Sequence, residues 1–165
     1  MPRFFTGEIR DGHAILSGDD AKHIAKSLRM APGDQVIVCD GKGSDYLGRL
    51  STVSPAEVLV DILSVSRNVS EPSFRLTLYM ALPKGDKLDC IVQKAVELGA
   101  YAIVPVLTSR CISRPDAKSM EKKREKLART SLEAAKQCGR GLVPQVLPTL
   151  GYEEALLAMR EADIS

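Results

Sequence analysis

The sequence predicts a two-part protein in which a small β-barrel precedes an α/β layer with a mostly parallel sheet. Three observations support this fold class. Short β-type segments separated by turns rich in Gly, Asp and Pro dominate residues 1 to 70. From residue 74 to 165 the pattern becomes strand, helix, strand, long helix, strand and helix. Between the two parts, the polar stretch from Asn68 to Ser73 contains a proline and marks a boundary.

The predicted barrel consists of short strands interrupted by one helix. The strands are expected at Ala14–Leu16, Gln35–Cys39, Tyr46–Leu50 and Val58–Leu63. The helix is expected from Asp19 to Met30, with Gly18 or Asp19 at its start. Its predicted buried side consists of Ala21, Ile24, Ala25 and Leu28.

The predicted α/β layer begins with the β-rich run from Leu76 to Leu82, which Pro83 ends. After the turn Lys84-Gly85, Asp86 is expected to cap a helix, with Asp89 three residues later in capping-box spacing. The expected apolar face of this helix is Leu88, Ile91, Val92, Ala95 and Leu98, and Gly99 is expected to end it. A second strand, Ala102–Leu107, should lie parallel to the first.

The Lys84-Gly85 turn is the most informative local feature, because ligands of such sheets bind beyond the carboxyl ends of the strands. Lys84 and Lys87 stand there beside the N-terminus of a helix, where backbone N–H groups attract anions. The turn therefore predicts a phosphate site. No Gly-x-Gly-x-x-Gly motif or P-loop follows the first strand, so a nucleotide-binding enzyme of another kind is ranked low.

A long helix is expected from Ala117 to Cys138, ending at Gly139, and a last helix from Tyr152 to Ala162. The first half of the long helix is strongly basic: between Lys118 and Arg129 it holds six basic residues and two acidic ones. We favour a solvated face with ion pairs one turn apart over an RNA contact.

Composition excludes several classes of protein. Hydrophobic content of 44% and charged content of 27% are ordinary for a globular protein, and a net charge of +2 requires any nucleic-acid site to come from local clustering. Four scattered cysteines and two histidines predict no metal site. No run approaches the ~20 apolar residues of a membrane span. We expect a cytoplasmic protein with reduced thiols, in which Cys90 and Cys138 are small core residues and His23 is structural or solvated.

Several motifs, in order along the chain, resemble one known family. They are Arg29 with Pro32-Gly33-Asp34, Asp40-Gly41-Lys42-Gly43, the segment from Leu82 to Lys87, the segment from Gln93 to Gly99, Ile103-Val104-Pro105, Arg110, the segment from Glu133 to Arg140, and Val143-Pro144. Together they resemble the ribosomal RNA small subunit methyltransferase E family over nearly the whole chain. Two differences from the family pattern are Ser109, where the family usually has Glu, and Lys136, which is often Glu.

The resemblance implies an N-terminal PUA-like RNA-binding β-barrel at residues 1–70 and a SPOUT methyltransferase domain with a trefoil knot from residue 74. It implies a homodimer that uses S-adenosylmethionine to methylate N3 of a uridine in 16S ribosomal RNA of the small ribosomal subunit. The family's Gly-Pro-Glu-Gly-Gly loop and its arginine-rich Thr-Glu-Thr segment do not occur in this sequence. We therefore expect a chain that ends before the donor-binding knot, has no donor-binding residues of its own and is inactive alone.

Candidate site residues follow from these patterns. The predicted RNA-binding residues are Arg3, Arg29, Lys42, Lys84, Lys87, Arg110 and Arg140, with Lys22 as a further cation on the barrel. Arg110 and Arg140 are equally suited to holding loop carbonyl groups. Gln93, Glu97 and Gln137 are possible orienting groups, although a surface role is favoured for Gln93 and Glu97. No catalytic residue is assigned. The alternative function is an RNA-binding module without catalysis.

Overall fold

A computed structural model describes residues 1–112 and 114–163 of the chain, which folds into two units. The first unit contains Met1–Glu71 together with Lys136–Leu142. The second contains Pro72–Ala135 and the chain from Val143 onward. The segment 136–142 therefore belongs with the first unit, although it follows a long stretch of the second. In the described residues, no helix combines the length and apolar character needed to cross a membrane.

The first unit is a curled, six-stranded sheet that forms a half-barrel. Its strands are β1 (Arg3–Phe5), β2 (Ile9–Arg10), β3 (His13–Ser17), β4 (Gln35–Cys39), β5 (Ser44–Val53) and β6 (Glu57–Arg67). They are arranged in the order β1-β4-β5-β6-β3-β2. Only the pairing of β1 with β4 is parallel among these neighbours. The sequence predicts four of the six strands and misses the short β1 and β2.

The first unit has an apolar core. Its residues alternate along the strands with more exposed ones, as expected for a sheet with one buried face. Its buried residues are Phe4, Ala14, Leu16, Ala21, Ile24, Val36, Val38, Leu50, Val58 and Val60. Gly48 lies where β5 shifts register against β6. A Cβ atom at Gly48 would lie 2.3 Å from Cγ1 of Val60, so the close approach of the two strands requires glycine.

The helix of the first unit differs from the prediction. It begins as α1 (Gly18–Lys22) and continues as a π-helical turn (His23–Ser27). The N–H of Leu28 donates to the carbonyl of His23 at 2.9 Å, a bond that spans five residues instead of four. The wider turn rotates the following side chains, so Leu28 is 40% exposed and its predicted burial is wrong. Ala21 and Ile24, which precede most of this turn, are buried as predicted.

The second unit is built on a parallel sheet, as the sequence predicts. Its strands are β7 (Thr77–Ala81), β8 (Ala102–Leu107), β9 (Gln145–Val146) and β10 (Leu150–Gly151). β8 pairs with β7 on one side, and on the other with β9 near its start and β10 near its end. The helices are α2 (Lys87–Glu97), α3 (Ala117–Cys138), whose last residues belong to the first unit, and α4 (Tyr152–Met159).

Most of the predicted apolar face of α2 is confirmed, but the prediction is wrong at the C-terminal end of the helix. Leu88, Val92 and Ala95 are buried and Ile91 is half-buried, whereas Leu98 is 87% exposed. Leu98 is the residue at which the helix ends before Gly99, whose φ of +97° places it in the left-handed region. The predicted burial of Leu98 is wrong because the chain leaves the helix there and the side chain no longer faces the sheet.

Two further predictions from the sequence need correction. Cys90 and Cys138 are exposed, not core residues. The last helix ends at Met159 instead of Ala162. In contrast, α3 has the predicted bounds, and Gly139 follows it with a φ of +80°.

Candidate functional site

The candidate site lies at the carboxyl edge of the parallel sheet in the second unit. β7 ends at Ala81 and β8 at Leu107, and because these strands are parallel their following loops leave the same edge. The N–H of Leu82 donates to the carbonyl of Val106 at 3.0 Å, so the two loops start side by side. Gly85, with a φ of +71°, allows the chain to turn directly into α2. Among the described residues, the edge is therefore formed by 82–87, 108–112 and 114–116.

The side chains at this edge are predominantly cationic. Lys84, Lys87 and Arg110 are exposed, and none of them forms an ion pair with a described residue. Asp86 occupies the position before α2, but its side chain makes no capping hydrogen bond, which corrects the predicted cap. The first N–H groups of α2 thus point toward the same edge as the lysines. This combination of free cations and a helix N-terminus suits a phosphate group.

The loop after β8 is ordered by Cys111 and Arg114, which the sequence analysis does not single out. The Cys111 thiol lies 3.3 Å from the Thr108 backbone nitrogen, which donates to it, and Arg114 donates to the carbonyl of Ser109 at 3.1 Å. Burial acts to raise the pKa of the Cys111 thiol. Hydrogen bonds from Thr108 and the backbone of Leu82, with the charge of Arg114, outweigh it and lower the pKa below its ordinary value. These polar contacts of an irregular loop leave no periodic signal in the sequence.

Two predicted barrel cations are exposed. Arg29 follows the π-helical turn with a φ of +52°, a left-handed conformation that costs a non-glycine residue free energy. Lys42 lies in the turn between β4 and β5, where Asp40 accepts hydrogen bonds from the N–H groups of Lys42 at 2.7 Å and Ser44 at 3.1 Å. Both side chains are therefore held on defined turns and point into solvent.

Arg3 is placed differently, in a part-buried ion pair. Its guanidinium donates to both carboxylate oxygens of Asp45, at 2.7 and 2.9 Å. Asn68 also donates to Asp45 at 2.9 Å and to the Gly139 carbonyl at 3.1 Å. Burial acts to raise the pKa of Asp45, but the hydrogen bonds from Arg3 and Asn68 outweigh it and hold the pKa below its usual range.

Arg140 forms a second ion pair of this kind. Its side chain is 5% exposed and donates to Glu71 at 2.6 and 3.2 Å. Glu71 also accepts the N–H groups of Gly141 at 2.9 Å and Leu142 at 3.0 Å. Burial acts to raise the pKa of Glu71, and these bonds, chiefly from Arg140, lower it instead. The geometry of Arg3 and Arg140 favours a structural role, since carboxylates already occupy the guanidinium groups.

The three possible orienting groups are not brought to the sheet edge. Glu97 is the last residue of α2, a helix that starts at the carboxyl edge and runs away from it. Glu97 accepts hydrogen bonds from Gln93 at 2.9 Å and Lys94 at 2.8 Å, and the bond from Lys94 above all lowers its pKa. Gln137 is exposed near the end of α3, in the segment that belongs to the first unit. The geometry favours a surface role for all three.

Two family models match the chain. The model described as an RNA methyltransferase domain matches residues 70–165, and the model described as an RNA methyltransferase PUA domain matches residues 16–63. The first match covers the sheet edge described above, and the second covers β4 and β5 with parts of β3 and β6.

Curated proteins similar to the chain carry the name ribosomal RNA small subunit methyltransferase E. The Bacillus subtilis (strain 168) protein is 34% identical over 148 residues, which cover 90% of this chain and 58% of that protein. The Synechocystis protein is 30% identical over 145 residues, which cover 88% of this chain and 46% of that protein. The chain thus spans about half the length of these curated relatives.

Solved structures agree with the fold. A ribosomal RNA small subunit methyltransferase E from Neisseria gonorrhoeae, bound to S-adenosyl methionine, has a TM-score of 0.86 at 34% identity and matches 94% of this chain and 65% of that one. A putative methyltransferase from Legionella pneumophila, in complex with the same cofactor, has a TM-score of 0.85 at 29% identity and matches 98% of this chain and 66% of that one.

Proposed function

Because this chain belongs to the ribosomal RNA small subunit methyltransferase E family, we propose that it forms the RNA-binding part of an enzyme acting on small-subunit ribosomal RNA. The enzyme transfers a methyl group from S-adenosylmethionine to N3 of a uridine in 16S ribosomal RNA. The observation that carries this proposal is the cationic carboxyl edge of the parallel sheet, inside the residues that match the methyltransferase domain.

The chemistry of the reaction explains why phosphate contacts matter. N3 of uridine carries a proton and is hidden by base pairing, so the target must lie in an unpaired region or be flipped out of a helix. A flipped nucleotide needs its backbone held on both sides, and proximity then supplies much of the rate. In this proposal Lys84, Lys87 and Arg110 hold that backbone. No described residue is assigned as the base that removes the proton.

The described edge residues fit the RNA better than the methyl donor. S-adenosylmethionine carries a positively charged sulfonium, which Lys84, Lys87 and Arg110 repel. Asp116, whose carboxylate accepts the N–H of Ser119 at 2.7 Å, offsets only part of this positive charge. We therefore place no donor contact on these residues. In calorimetry the 165-residue chain should bind RNA and give no heat with S-adenosylmethionine, and donor binding by this chain would contradict that assignment.

The half-barrel is proposed to carry RNA-binding cations of its own. Arg29 and Lys42 are the candidates there, since both are exposed. Arg3 and Arg140 then act indirectly, by holding the start of β5 at Asp45 and the 136–142 segment in place. We also propose that the full enzyme is a cytoplasmic homodimer, as in the family, which light scattering after gel filtration would check.

The test of the proposal is the salt dependence of RNA binding. Affinity for a small-subunit ribosomal RNA fragment should fall steeply with salt, because each phosphate contact releases a counterion. Lys84→Ala should flatten the slope of log affinity against log salt by about one unit. Lys94→Ala is the matched control, since Lys94 lies on α2, the helix that follows the Lys84 turn, but pairs with Glu97 at its far end. An unchanged slope for Lys84→Ala would remove Lys84 from the site.

A further inference from the structure

Helix α3 has one buried side and one exposed, basic side. Its buried residues are Leu127, Ser131, Ala134 and Ala135. At 100° per residue, the positions opposite this stripe include Lys118, Lys122 and Arg129, and all three are exposed. We call these three residues the basic face.

The ion pairs expected along this helix do not neutralise the basic face. Glu121 pairs with Arg124 on the flank of the helix, and Lys126 pairs with Asp89 at 3.1 Å. No described carboxylate forms an ion pair with Lys118, Lys122 or Arg129. The solvated face with ion pairs one turn apart, which the sequence favours, would instead pair these cations with Glu121 or Glu125. The face therefore keeps three cations without an ion pair, beside the exposed Glu125, which offsets part of their charge.

The bridge between Lys126 and Asp89 places the middle of α3 beside the first turn of α2. Asp89 belongs to the first turn of α2, two residues after Lys87, so the middle of α3 lies against the helix that starts at the sheet edge. From Lys118 to Arg129 the helix rises about 16 Å. That length is enough for the three cations to contact more than one phosphate of a strand.

We propose that the basic face of α3 is a second RNA-binding surface, which binds backbone phosphates of the nucleotides that flank the one at the sheet edge. This inference rests on the proposed function. RNA is the occupant that the charges favour, because the three side chains are long, flexible, unpaired and spaced along one line, as phosphate contacts without base recognition require. The contact is expected to be independent of sequence and sensitive to salt.

The experiment measures binding of the 165-residue chain to a short fluorescein-labelled single-stranded RNA over a salt series. The triple variant Lys118→Gln, Lys122→Gln, Arg129→Gln should lower the salt slope by about two units and weaken binding at low salt. Glutamine keeps the helix propensity of the positions, and circular dichroism checks the fold. The matched control is Arg10→Gln, Arg49→Gln, Arg160→Gln, which removes the same charge from exposed positions outside the proposed surfaces and should keep the wild-type slope.

The possible results distinguish failure of the inference about α3 from failure of the proposed function. If wild type binds the RNA with a steep slope and the α3 triple variant binds equally well, the inference fails while the proposed function stands. An equal loss in the control variant would also overturn it, because total charge would then explain binding. If the α3 variant loses binding to poly-glutamate but not to RNA, the face belongs to an acidic protein partner and the inference is wrong. A wild-type chain that does not bind RNA would contradict the proposed function itself.

Discussion

At the scale of single residues, the backbone of Arg29 links stability to the proposed RNA contact. Its φ of +52° is unfavourable for arginine, and no described hydrogen bond or ion pair of its side chain explains why arginine stands there. Residues held in such conformations are often retained for function. An exposed cation on a fixed, strained turn is well suited to meet a phosphate without a large loss of conformational entropy.

Arg29→Gly is therefore expected to separate the effect of Arg29 on stability from its effect on RNA binding. Glycine tolerates the left-handed conformation, so urea unfolding should show equal stability or a gain of up to about 1 kcal/mol. RNA affinity should fall, because the guanidinium is lost. Asp11→Gly is the control, since Asp11 has the same φ of 52° on a turn outside the proposed surface, and it should keep RNA affinity. A clear loss of stability in Arg29→Gly would instead give Arg29 a structural role.

The ion pair of Glu71 with Arg140 is a second feature of single residues, and it affects stability alone. Glu71→Gln leaves Arg140 with a neutral partner in a site where the side chains are 16% and 5% exposed, so unfolding free energy at pH 7 should fall by about 2 kcal/mol. Glu97→Gln on exposed α2 is the control and should change stability little. Equal effects of the two substitutions on urea unfolding would contradict the role given to the buried pair.

The carboxylates of the two part-buried ion pairs, Asp45 and Glu71, give the first unit a defined response to acid. The folded-state pKa values of Asp45 and Glu71 lie below their unfolded values, so both carboxylates contribute stability above about pH 4 that is lost as pH falls further. Melting temperature measured by circular dichroism should therefore drop below that pH. The drop should be smaller in Glu71→Gln, which has already lost one of the two groups, and an identical drop would count against the assignment.

At the scale of elements, β7, α2 and β8 were predictable because their signals are local. An apolar run, a glycine turn, a helical face and a second apolar run follow one another with little competition from distant residues. The helix after β3 was predicted, but its π-helical turn was not, since such a turn has the same apolar spacing at its start as an α-helix. Only the structure shows the extra residue in this turn, because Leu28, which the spacing predicts to be buried, is exposed.

Two substitutions in α2 test which of its side chains are buried against the rest of the second unit. Val92 is fully buried and Leu98 is 87% exposed, although both were predicted to be buried. Val92→Ala should destabilise the second unit by about 2 kcal/mol, whereas Leu98→Ala should stay within about 0.5 kcal/mol of wild type. Hydrogen exchange of the β8 amides, measured by mass spectrometry, reports on this unit, and a comparable loss of protection in Leu98→Ala would mean that the helix is rotated.

At the scale of the whole molecule, sequence reasoning identifies the family and the cationic sheet edge but not the grouping of residues 136–142 with the half-barrel. That grouping depends on contacts across large sequence separations, such as Arg140 with Glu71 and Asn68 with Gly139. Gly141 also contributes to this grouping, because it lets the 136–142 segment approach Asn68 closely. A Cβ atom at Gly141 would lie 2.6 Å from Cβ of Asn68. Such contacts have no periodic pattern, which is why Arg140 resembles a free cation in sequence and is buried in the structure.

The most direct test of the central claim is photo-crosslinking of the 165-residue chain to a small-subunit ribosomal RNA fragment, with the crosslinked peptides identified by mass spectrometry. The account predicts crosslinks in the segments that contain Lys84 and Lys87, Arg110, and Arg29, and fewer of them as salt rises. Peptides around Lys94 and Glu97, at the far end of α2, should remain unmodified. Crosslinks confined to such peptides, or none that depend on salt, would contradict the assignment of the sheet edge as the RNA site.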